Sequence, residues 1–356
     1  MLKRKHCMAT SGGGLLILFV LVLGFSGCSR KTPIYRQQGF VFGTMVEVTI
    51  DGVPKARARK LAGHVLSDFD VMTHTLNAWK PGTLSRMNAV FAFSPSKAAI
   101  APGMIPILRN ATRYSKQSGG LFNPAIGKLI QLWGFESDTI TPRRPGPAQI
   151  AALVKANPQM SDIVIDGIQF YSKNPAVRVD LGGYAKGYAL DIAAAYLRAH
   201  GVKNALINIG GNIIALGRHG DRPWEIGIQD PRKPGPIATL ALHNGEAIGT
   251  SGDYQHYFII DGVRYCHIID PRTGYPAQGV QSVTVLTPPG PQAGTLSDVA
   301  SKPPFIAGVQ GWRAAARKMG VDQVMLIDDH GHIYLTAAMK KRLHFLEKGR
   351  VIHVVP

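Results

Sequence analysis

Hydrophobic and polar residues alternate near residue 40 and then give way to a helical spacing. Within residues 40–50, Val46, Val48 and Ile50 share one side of an extended chain, and polar residues occupy the other side. This alternation predicts a half-buried strand, opened by a glycine and a threonine. Residues 54–75 carry apolar side chains at helical spacing and predict an amphipathic helix.

The remaining pattern predicts several more helices and many short strands. Further helices are predicted at 102–117, at a segment through Leu132 and Trp133, at a segment that has Lys186 in its first turn and runs on to about residue 200, at 296–301 and at 310–319. Strands are predicted at 163–165, 169–171, 177–179, 205–209, 213–216, 224–228, 237–242, 257–260, 265–269, 282–286, 324–327 and 333–335. Residues 77–88 and 250–254 are expected to be a loop and a turn. Mostly hairpin-linked strands with runs of helices predict an α+β fold with mixed sheets, flanking helices and a single intertwined domain.

The first 28 residues have the layout of a bacterial lipoprotein signal peptide. A basic start precedes an apolar run at 15–25, which is short for a membrane span, and small residues then lead to Cys28. We therefore expect a signal peptide at 1–27, a lipidated Cys28, a polar tether at 28–38 and a folded domain at 39–356. An uncleaved signal anchor is the alternative. Ser29, in the place where an aspartate would retain a lipoprotein at the inner membrane, favours the outer membrane on the periplasmic side.

Composition limits the partners of this chain of 356 residues. Lys and Arg number 40 against 22 Asp and Glu, for a formal charge of +18, which suits an anionic ligand or a lipid surface. The basic residues are scattered and accompany no nucleic-acid-binding motif, so nucleic acid is not an expected partner. Only Cys266 would remain unmodified in the mature chain, so no intrachain disulfide is expected.

Three stretches carry candidate chemistry. Residues 180–188 place a glycine pair between a strand and a helix with Lys186 in its first turn, which predicts an anion site at the helix N-terminus or, alternatively, a plain tight turn. His267 falls at the end of a predicted strand, before a rigid turn, where it is either a reactive group or a structural histidine. Trp79 could stack on a flat ligand or could line the rim of the core.

Several motifs, in the right order, resemble those of the ApbE-type FAD:protein FMN transferases from about residue 40 to the C-terminal region. The matching stretches are 42–44, 84–88, 122–124, 132–135, 179–191, 209–212, 251–254 and 267–274. The resemblance implies an ApbE-like, T-fold-related domain. It also implies an enzyme that moves the FMN half of FAD, with Mg²⁺, onto a Thr or Ser of an acceptor protein and releases AMP. The family's acceptors are subunits of Rnf-type and sodium-pumping NADH:quinone reductase complexes and related flavoproteins.

The resemblance also assigns roles by position. The positions that match FAD contacts are Phe42, Trp79, Leu121, Phe122, Asn123, Asp180, Lys186 and Ile269. The Gly183 carbonyl and Asp298 match metal ligands, and His267 matches the histidine on which transfer depends. With an ordinary pKa near neutrality, His267 could take the proton of the acceptor hydroxyl, and Asp298 would hold the metal at the reacting phosphate.

One departure from the family pattern affects the metal site. Lys302 stands where the family has a threonine, four residues after Asp298, and Pro303 follows it. Either Ser301 supplies the missing oxygen while Lys302 turns away, or the ammonium of Lys302 pairs with Asp298 and partly replaces the metal. Thr83 and Asn123 also depart from the acidic residues that are frequent there.

Three functions therefore remain open at the level of sequence. They are FMN transfer to protein, hydrolysis of FAD to FMN and AMP, and FAD binding by a non-catalytic lipoprotein. Cysteine catalysis by Cys266 with His267 as its base is disfavoured, because neighbouring side chains on a strand point to opposite faces.

Overall fold

The largest sheet of the protein contains nine of the strands that the computed structural model describes. The described residues are 34–93, 96–137, 139–347 and 349–355. The strands of this sheet run antiparallel to their neighbours except at its C-terminal edge, where Ile333–Thr336 pairs in parallel with Ile352–Val355. Mixed sheets and several helices confirm the predicted α+β class.

The helices are α1 (Lys55–Leu76), α2 (Thr83–Ala92), α3 (Met104–Gln117), α4 (Gly127–Trp133), α5 (Pro147–Ala156), α6 (Ala185–Ala199), α7 (Ala293–Ala300), α8 (Lys302–Lys318) and α9 (Ala337–Lys340). The large sheet has the order β1 (Tyr35–Val41), β2 (Thr44–Asp51), β6 (Asn204–Ile209), β7 (Asn212–Leu216), β10 (Ala247–Gly252), β13 (Val280–Thr287), β14 (Gln323–Asp328), β15 (Ile333–Thr336) and β17 (Ile352–Val355). Smaller sheets contain β3 (Ala98–Ala99), β5 (Gln169–Ser172) and β4 (Ile163–Asp166); β11 (Tyr257–Ile260) and β12 (Val263–Cys266); and β16 (His344–Phe345), β9 (Pro236–Leu242) and β8 (Trp224–Gln229).

The large sheet is covered on both faces, and the alternation of its side chains shows this directly. In β14, Val324 and Leu326 belong to a core shared with helices, whereas Met325 and Ile327 belong to a core shared with the β8–β9 hairpin. Because successive strand residues point to opposite faces, both faces must be apolar. This explains why β13 is buried along its whole length.

Most predicted elements are confirmed, including the first strand and the amphipathic helix α1. The predicted tether at 28–38 overlaps β1, which begins at Tyr35 and pairs with β2 in register. Cys28 and the predicted signal peptide lie outside the described residues. Among the described residues, no helix is long and apolar enough to cross a membrane.

Four local predictions were wrong. The predicted loop at 77–88 is half helix, since α2 begins at Thr83. Residues 177–179 form no strand but only a bridge from Arg178 to Ile126. The predicted turn at 250–254 is largely β10, whose Thr250 and Ser251 pair with β13. The predicted strand at 265–269 ends at Cys266, so His267 lies just beyond the strand.

Close contact between α6 and α7 brings the second half of the chain against the first. A methyl group at Gly187 would overlap the Gly294 carbonyl oxygen and lie 2.6 Å from Cβ of Asp298, so only glycine permits this approach. Asp191 of α6 accepts hydrogen bonds from the N–H groups of Gly294 and Thr295 at 2.7 and 2.8 Å. It thereby caps the first turn of α7 from a neighbouring helix. Burial raises the pKa of Asp191 to about 6, against the lowering effect of these bonds.

Candidate functional site

Asp180 is the centre of a hydrogen-bonded turn that leads into α6. Its Oδ1 accepts from the Gly182 N–H at 2.7 Å, and its Oδ2 accepts from Nε1 of Trp79 at 2.8 Å. Its own N–H donates to the Pro124 carbonyl at 2.8 Å. Burial raises the pKa of Asp180, and the Gly182 N–H, Trp79 and Arg178 oppose that rise. The structure thus joins two predicted FAD-contact residues, Trp79 and Asp180, that are far apart in the sequence.

The face of Trp79 is covered by a cation that the sequence analysis did not single out. The guanidinium of Arg178 lies 4.4 Å from the centre of the Trp79 ring and also donates to the Ala78 carbonyl at 3.1 Å. A guanidinium over an indole is an attractive cation–π pair. Since the ring also donates to Asp180, Trp79 is held in one orientation.

Phe42 occupies the turn between β1 and β2. Phe42 and Gly43 both have positive φ, 53° and 69°, which fits the two-residue hairpin turn whose twist matches the strands. A positive φ is uncommon for a residue as bulky as phenylalanine. Its N–H donates to Oγ1 of Thr73 at 3.2 Å. Phe42, Trp79 and Leu121 are half-buried and pack against the same hydrophobic core, so each leaves part of its apolar side chain exposed.

Phe122 and Asn123 are buried and have different roles. Asn123 donates to the Pro158 carbonyl at 2.9 Å and accepts from the Ala125 N–H at 3.1 Å, so it shapes the chain after α3. A methyl group built on Gly183 would lie 3.6 Å from the Phe122 ring, so Phe122 borders the glycine pair. The amide of Asn123 is therefore committed to protein contacts, whereas Phe122 adjoins the turn at the start of α6.

Asp298 is fully buried and paired with Lys302. The Lys302 ammonium donates to Oδ1 of Asp298 and, at 2.6 Å, to the Asp298 carbonyl. The other carboxylate oxygen, Oδ2, accepts from the Gly187 N–H at 2.9 Å. Burial would raise the pKa of Asp298, but Lys302, Lys186 and the Gly187 N–H outweigh it and hold the pKa below its usual range. Asp298 is therefore an anion at neutral pH.

Two of the predicted metal ligands, Asp298 and Ser301, already have protein partners in this structure. The hydroxyl of Ser301 lies 2.7 Å from that of Ser251 and donates to the Asp298 carbonyl at 2.7 Å. The stem of Lys302 lies against Gly183, since a methyl group there would be 3.2 Å from its Cε. Of the two arrangements left open by the sequence, the structure has the pairing of Lys302 with Asp298. A divalent ion held by Gly183, Asp298 and Ser301 does not fit unless Lys302 moves.

His267 lies beside this charged cluster, just after β12. Its N–H and its Nδ1 both lie within hydrogen-bonding distance of the His256 carbonyl, at 3.0 and 3.2 Å. Because a carbonyl can only accept, Nδ1 carries the proton and Nε2 keeps the lone pair. Burial, His256 and Lys186 lower the pKa of His267 to about 3. The ordinary pKa assumed from sequence was therefore wrong, and the imidazole is neutral at neutral pH.

Cys266 is buried and is not poised as a nucleophile. Burial raises the pKa of its thiol to about 12, and its sulfur contacts the carbonyls of Ile268 and Ala277 at 3.9 and 3.8 Å. A thiol with so high a pKa forms almost no thiolate at neutral pH. Ile269 is also buried; it bridges to Pro276 and packs in a core with Trp133.

A separate cavity of about 380 Å³ lies between the β6–β7 turn and the β8–β9 hairpin. Its lining includes Thr250 and also Gly210, Gly211 and Tyr254, which belong to two of the motifs that carried the resemblance. Its lining contains none of the predicted FAD contacts. Thr250 precedes Ser251, which contacts Ser301, so this cavity adjoins the cluster around Asp298 through β10.

Sequence reasoning missed several residues that build the site. They are Arg178, Gly187, Asp191, Ser251 and His256. Gly187, Asp191 and Ser251 stood within recognised motifs, but each has its partner on a distant segment of the chain, 111, 103 and 50 residues away. Arg178 lies two residues before Asp180 in the sequence, but nothing in the local sequence indicates that its guanidinium covers the ring of Trp79.

Comparison with known proteins places these residues in a family. The model of the ApbE family matches residues 42–325. The FAD:protein FMN transferase of Rhodobacter capsulatus is 40% identical over 339 residues, covering 95% of this chain and 64% of that protein. The FAD:protein FMN transferase of Klebsiella pneumoniae is 32% identical over 278 residues, covering 74% of this chain and 79% of that protein.

The fold agrees with a solved structure as well. The crystal structure of the ApbE protein from Thermotoga maritima covers 87% of this chain and 99% of its own, at 30% identity and a TM-score of 0.79. The predicted ApbE-like fold is therefore confirmed. This chain spans 64% of the length of the Rhodobacter relative.

Proposed function

The chain belongs to the ApbE family, and we propose that it is an FAD:protein FMN transferase that moves FMN from FAD onto a Thr or Ser hydroxyl of an acceptor protein. The observation that carries the proposal is the convergence of the glycine turn at Asp180 with a cationic cluster. Phe122, Lys302 and Asp298 all border the turn or the helix that follows it. Trp79 joins the same turn through Asp180.

In this proposal the flavin lies against the apolar surface of Phe42, Trp79 and Leu121, and the pyrophosphate reaches the start of α6. The start of α6 combines the positive end of the helix with Lys186, which suit an anion, although the Ala185 and Gly187 N–H groups already donate within the protein. Lys302 adds a second ammonium near the same helix end. Binding energy would therefore come from stacking on one side and from charge on the other.

The proposed step is a substitution at the phosphorus on the FMN side. The acceptor oxygen forms a bond to that phosphorus, the bond from phosphorus to the bridging oxygen breaks, and AMP leaves with the electron pair. The hydroxyl proton goes to Nε2 of His267, the ring nitrogen that keeps a lone pair. General-base help of this kind contributes roughly 10² to 10⁴ in rate.

The low pKa of His267 makes it a weak base in the free protein, and bound FAD would change this. Lys186 and Lys302 both lower the pKa of His267 in the free protein. A bound pyrophosphate would offset their charge, so we expect the pKa of His267 to rise and its basicity to increase in the complex. This makes the histidine a stronger base when the substrate is present.

The family resemblance adds Mg²⁺, which when bound would withdraw charge from the phosphates and steady the leaving AMP. The ligands would be the Gly183 carbonyl, Asp298 and Ser301. Lys302 lies against Gly183 and pairs with Asp298, so these two ligands are not free for the ion, and the reaction described above does not depend on it.

The acceptor and the location are also part of the proposal. The acceptors proposed from the resemblance are subunits of Rnf-type or sodium-pumping NADH:quinone reductase complexes. A lipid on Cys28 would hold the enzyme at the periplasmic side of a bacterial membrane, with Ser29 favouring the outer one. The scattered basic residues of the chain serve this anionic substrate and lipid surface rather than nucleic acid.

The test uses the full chain, purified in mild detergent, with FAD and an acceptor domain that carries the motif Asp-x-x-Thr-x-Ala-Thr. We expect in-gel flavin fluorescence on the acceptor and release of AMP, and no transfer when the acceptor threonine is replaced by valine. Release of FMN and AMP without labelling would instead indicate an FAD pyrophosphatase. Tight FAD binding with neither product, under any divalent metal, would indicate a non-catalytic FAD-binding protein.

A further inference from the structure

We infer that the ammonium of Lys302 is a built-in cation for the FAD pyrophosphate, so that this chain binds and cleaves FAD without a divalent metal. The inference rests on the proposed function, because it concerns the same site. It concerns a residue of this chain that departs from the family pattern.

Lys302 lies next to both of the implied metal ligands. Lys302 is the first residue of α8, directly before Pro303, and its stem runs alongside Gly183. Its ammonium donates to both the carbonyl and a carboxylate oxygen of Asp298. The two implied metal ligands, Gly183 and Asp298, thus face one lysine side chain.

The remaining side-chain oxygens of the implied metal site already accept or donate hydrogen bonds within the protein. Oδ2 of Asp298 already accepts from Gly187, and the Ser301 hydroxyl is engaged with Ser251 and the Asp298 carbonyl. Mg²⁺ demands near-octahedral oxygen ligands at about 2.0–2.1 Å. A divalent ion would have to displace the ammonium and break these contacts. Two cations would also repel each other strongly at this depth.

The ammonium of Lys302 keeps one N–H donor and some exposed surface for a ligand. An ammonium has three N–H donors, and Asp298 accepts two of them, so one remains for a phosphate oxygen. The side chain of Lys302 is 15% exposed, whereas that of Asp298 is 0% exposed, so the lysine is the member of the pair that a ligand can reach. With Lys186, the cluster carries a net positive charge toward a dianionic pyrophosphate. The lysine can therefore supply part of the charge that a metal would bring, without dissociating.

The experiment measures FAD affinity by flavin fluorescence on the full chain in mild detergent, with EDTA or with MgCl₂. Mn²⁺, detected by electron paramagnetic resonance, serves as the metal probe. The variants are Lys302→Thr, which restores the family threonine, and Lys302→Met, which removes the charge at similar length. Lys318→Thr, which changes an exposed lysine at the end of α8 beyond the break at Gly308, is the matched control.

We expect the wild type and the control to bind FAD with affinities that agree within about twofold with or without Mg²⁺. Lys302→Thr should lose about 10- to 100-fold in EDTA, the value of a charge-assisted hydrogen bond, and regain it with Mg²⁺. The same variant should bind Mn²⁺ more tightly than the wild type. Lys302→Met should lose affinity under both conditions.

The inference is overturned if EDTA weakens FAD binding by the wild type about tenfold or more and Mg²⁺ restores it. It is also overturned if Lys302→Met binds FAD as tightly as the wild type, a result that does not depend on whether Lys302→Thr folds. AMP release by the wild type, measured with FAD and the acceptor domain whose threonine attacks the phosphorus, should be the same in EDTA as with Mg²⁺, and its loss in EDTA alone would refute the cleavage part. The affinity measurements need no acceptor, so a failure of flavin transfer under both conditions would count against the proposed function alone.

Discussion

The pair of Asp298 and Lys302 should be visible in stability as well as in ligand binding. The perturbation is a cycle of three variants: Lys302→Met, Asp298→Asn and the double substitution. Asp298 has no exposed surface, and removal of Lys302 would leave its carboxylate with the Gly187 N–H as a hydrogen-bond donor and the charge of Lys186, but without its ion-pair partner. An uncompensated buried charge is strongly destabilising, whereas a neutral pair of similar volume is tolerated.

The size of the effect follows from burial. Breaking one side of a buried ion pair costs about 3–5 kcal/mol, so Lys302→Met should fall in that range. Asp298→Asn should fall toward its lower end, because the Lys302 side chain is 15% exposed and can regain some hydration. The double variant should be more stable than the sum of the single losses predicts, with a coupling free energy of about 2–3 kcal/mol.

The assay is urea unfolding of the full chain, followed by tryptophan fluorescence with EDTA present and FAD absent. Lys318→Met is the control, and its free energy of unfolding should stay within about 0.5 kcal/mol of the wild type. The reasoning is refuted if each single variant loses less than about 1 kcal/mol and the losses simply add, since the two side chains would then be solvated independently.

Three further predictions concern His267, Gly187 and Trp79. The pKa of His267 is lowered from its ordinary 6.5 to about 3, so its contribution to stability is complete above pH 6.5 and is lost as pH falls toward 3. His267→Gln should therefore flatten the dependence of unfolding free energy on pH in that window, and an unchanged slope would contradict the lowered pKa. Gly187→Ala should cost about 1–3 kcal/mol in urea unfolding through overlap with the α7 backbone. Gly290→Ala, where an added methyl group meets nothing within 4 Å, should cost far less, and equal losses would count against the close approach. Trp79→Phe removes the N–H that reaches Asp180 and should weaken FAD binding about tenfold, as measured by fluorescence titration. Unchanged affinity would remove Trp79 from the flavin site.

The sequence predicted well those elements in which one face is buried and the other is exposed along the whole length. Helix α1 has a continuous apolar stripe with Leu61, Val65 and Phe69 buried. Strand β10 was missed because its sequence reads as a turn: it contains Gly249 and Gly252, and small polar residues lie between them. Gly249 is required there because a side chain would overlap the Ser297 carbonyl of α7, a contact that the local sequence does not encode.

In the candidate site, too, the sequence identified the residues but not their surroundings. Motifs identified Asp180, Lys186, His267 and Asp298 as chemical groups, because their residue types and turn contexts are local features. Their environment was not local. The lowered pKa of His267 depends on burial and on Lys186 and Lys302, which come from other elements.

By itself, the sequence determined the residue types available for chemistry, the α+β class and the departure at Lys302. Only the tertiary structure decided what Lys302 does. Of the two arrangements left open, the structure has the ion pair. Lys302 begins α8 and its ammonium donates to Asp298, while the Gly187 N–H of α6 donates to the other carboxylate oxygen. The physical reason is that a buried carboxylate must find its partners in three dimensions, and one of these partners lies more than a hundred residues away in the chain.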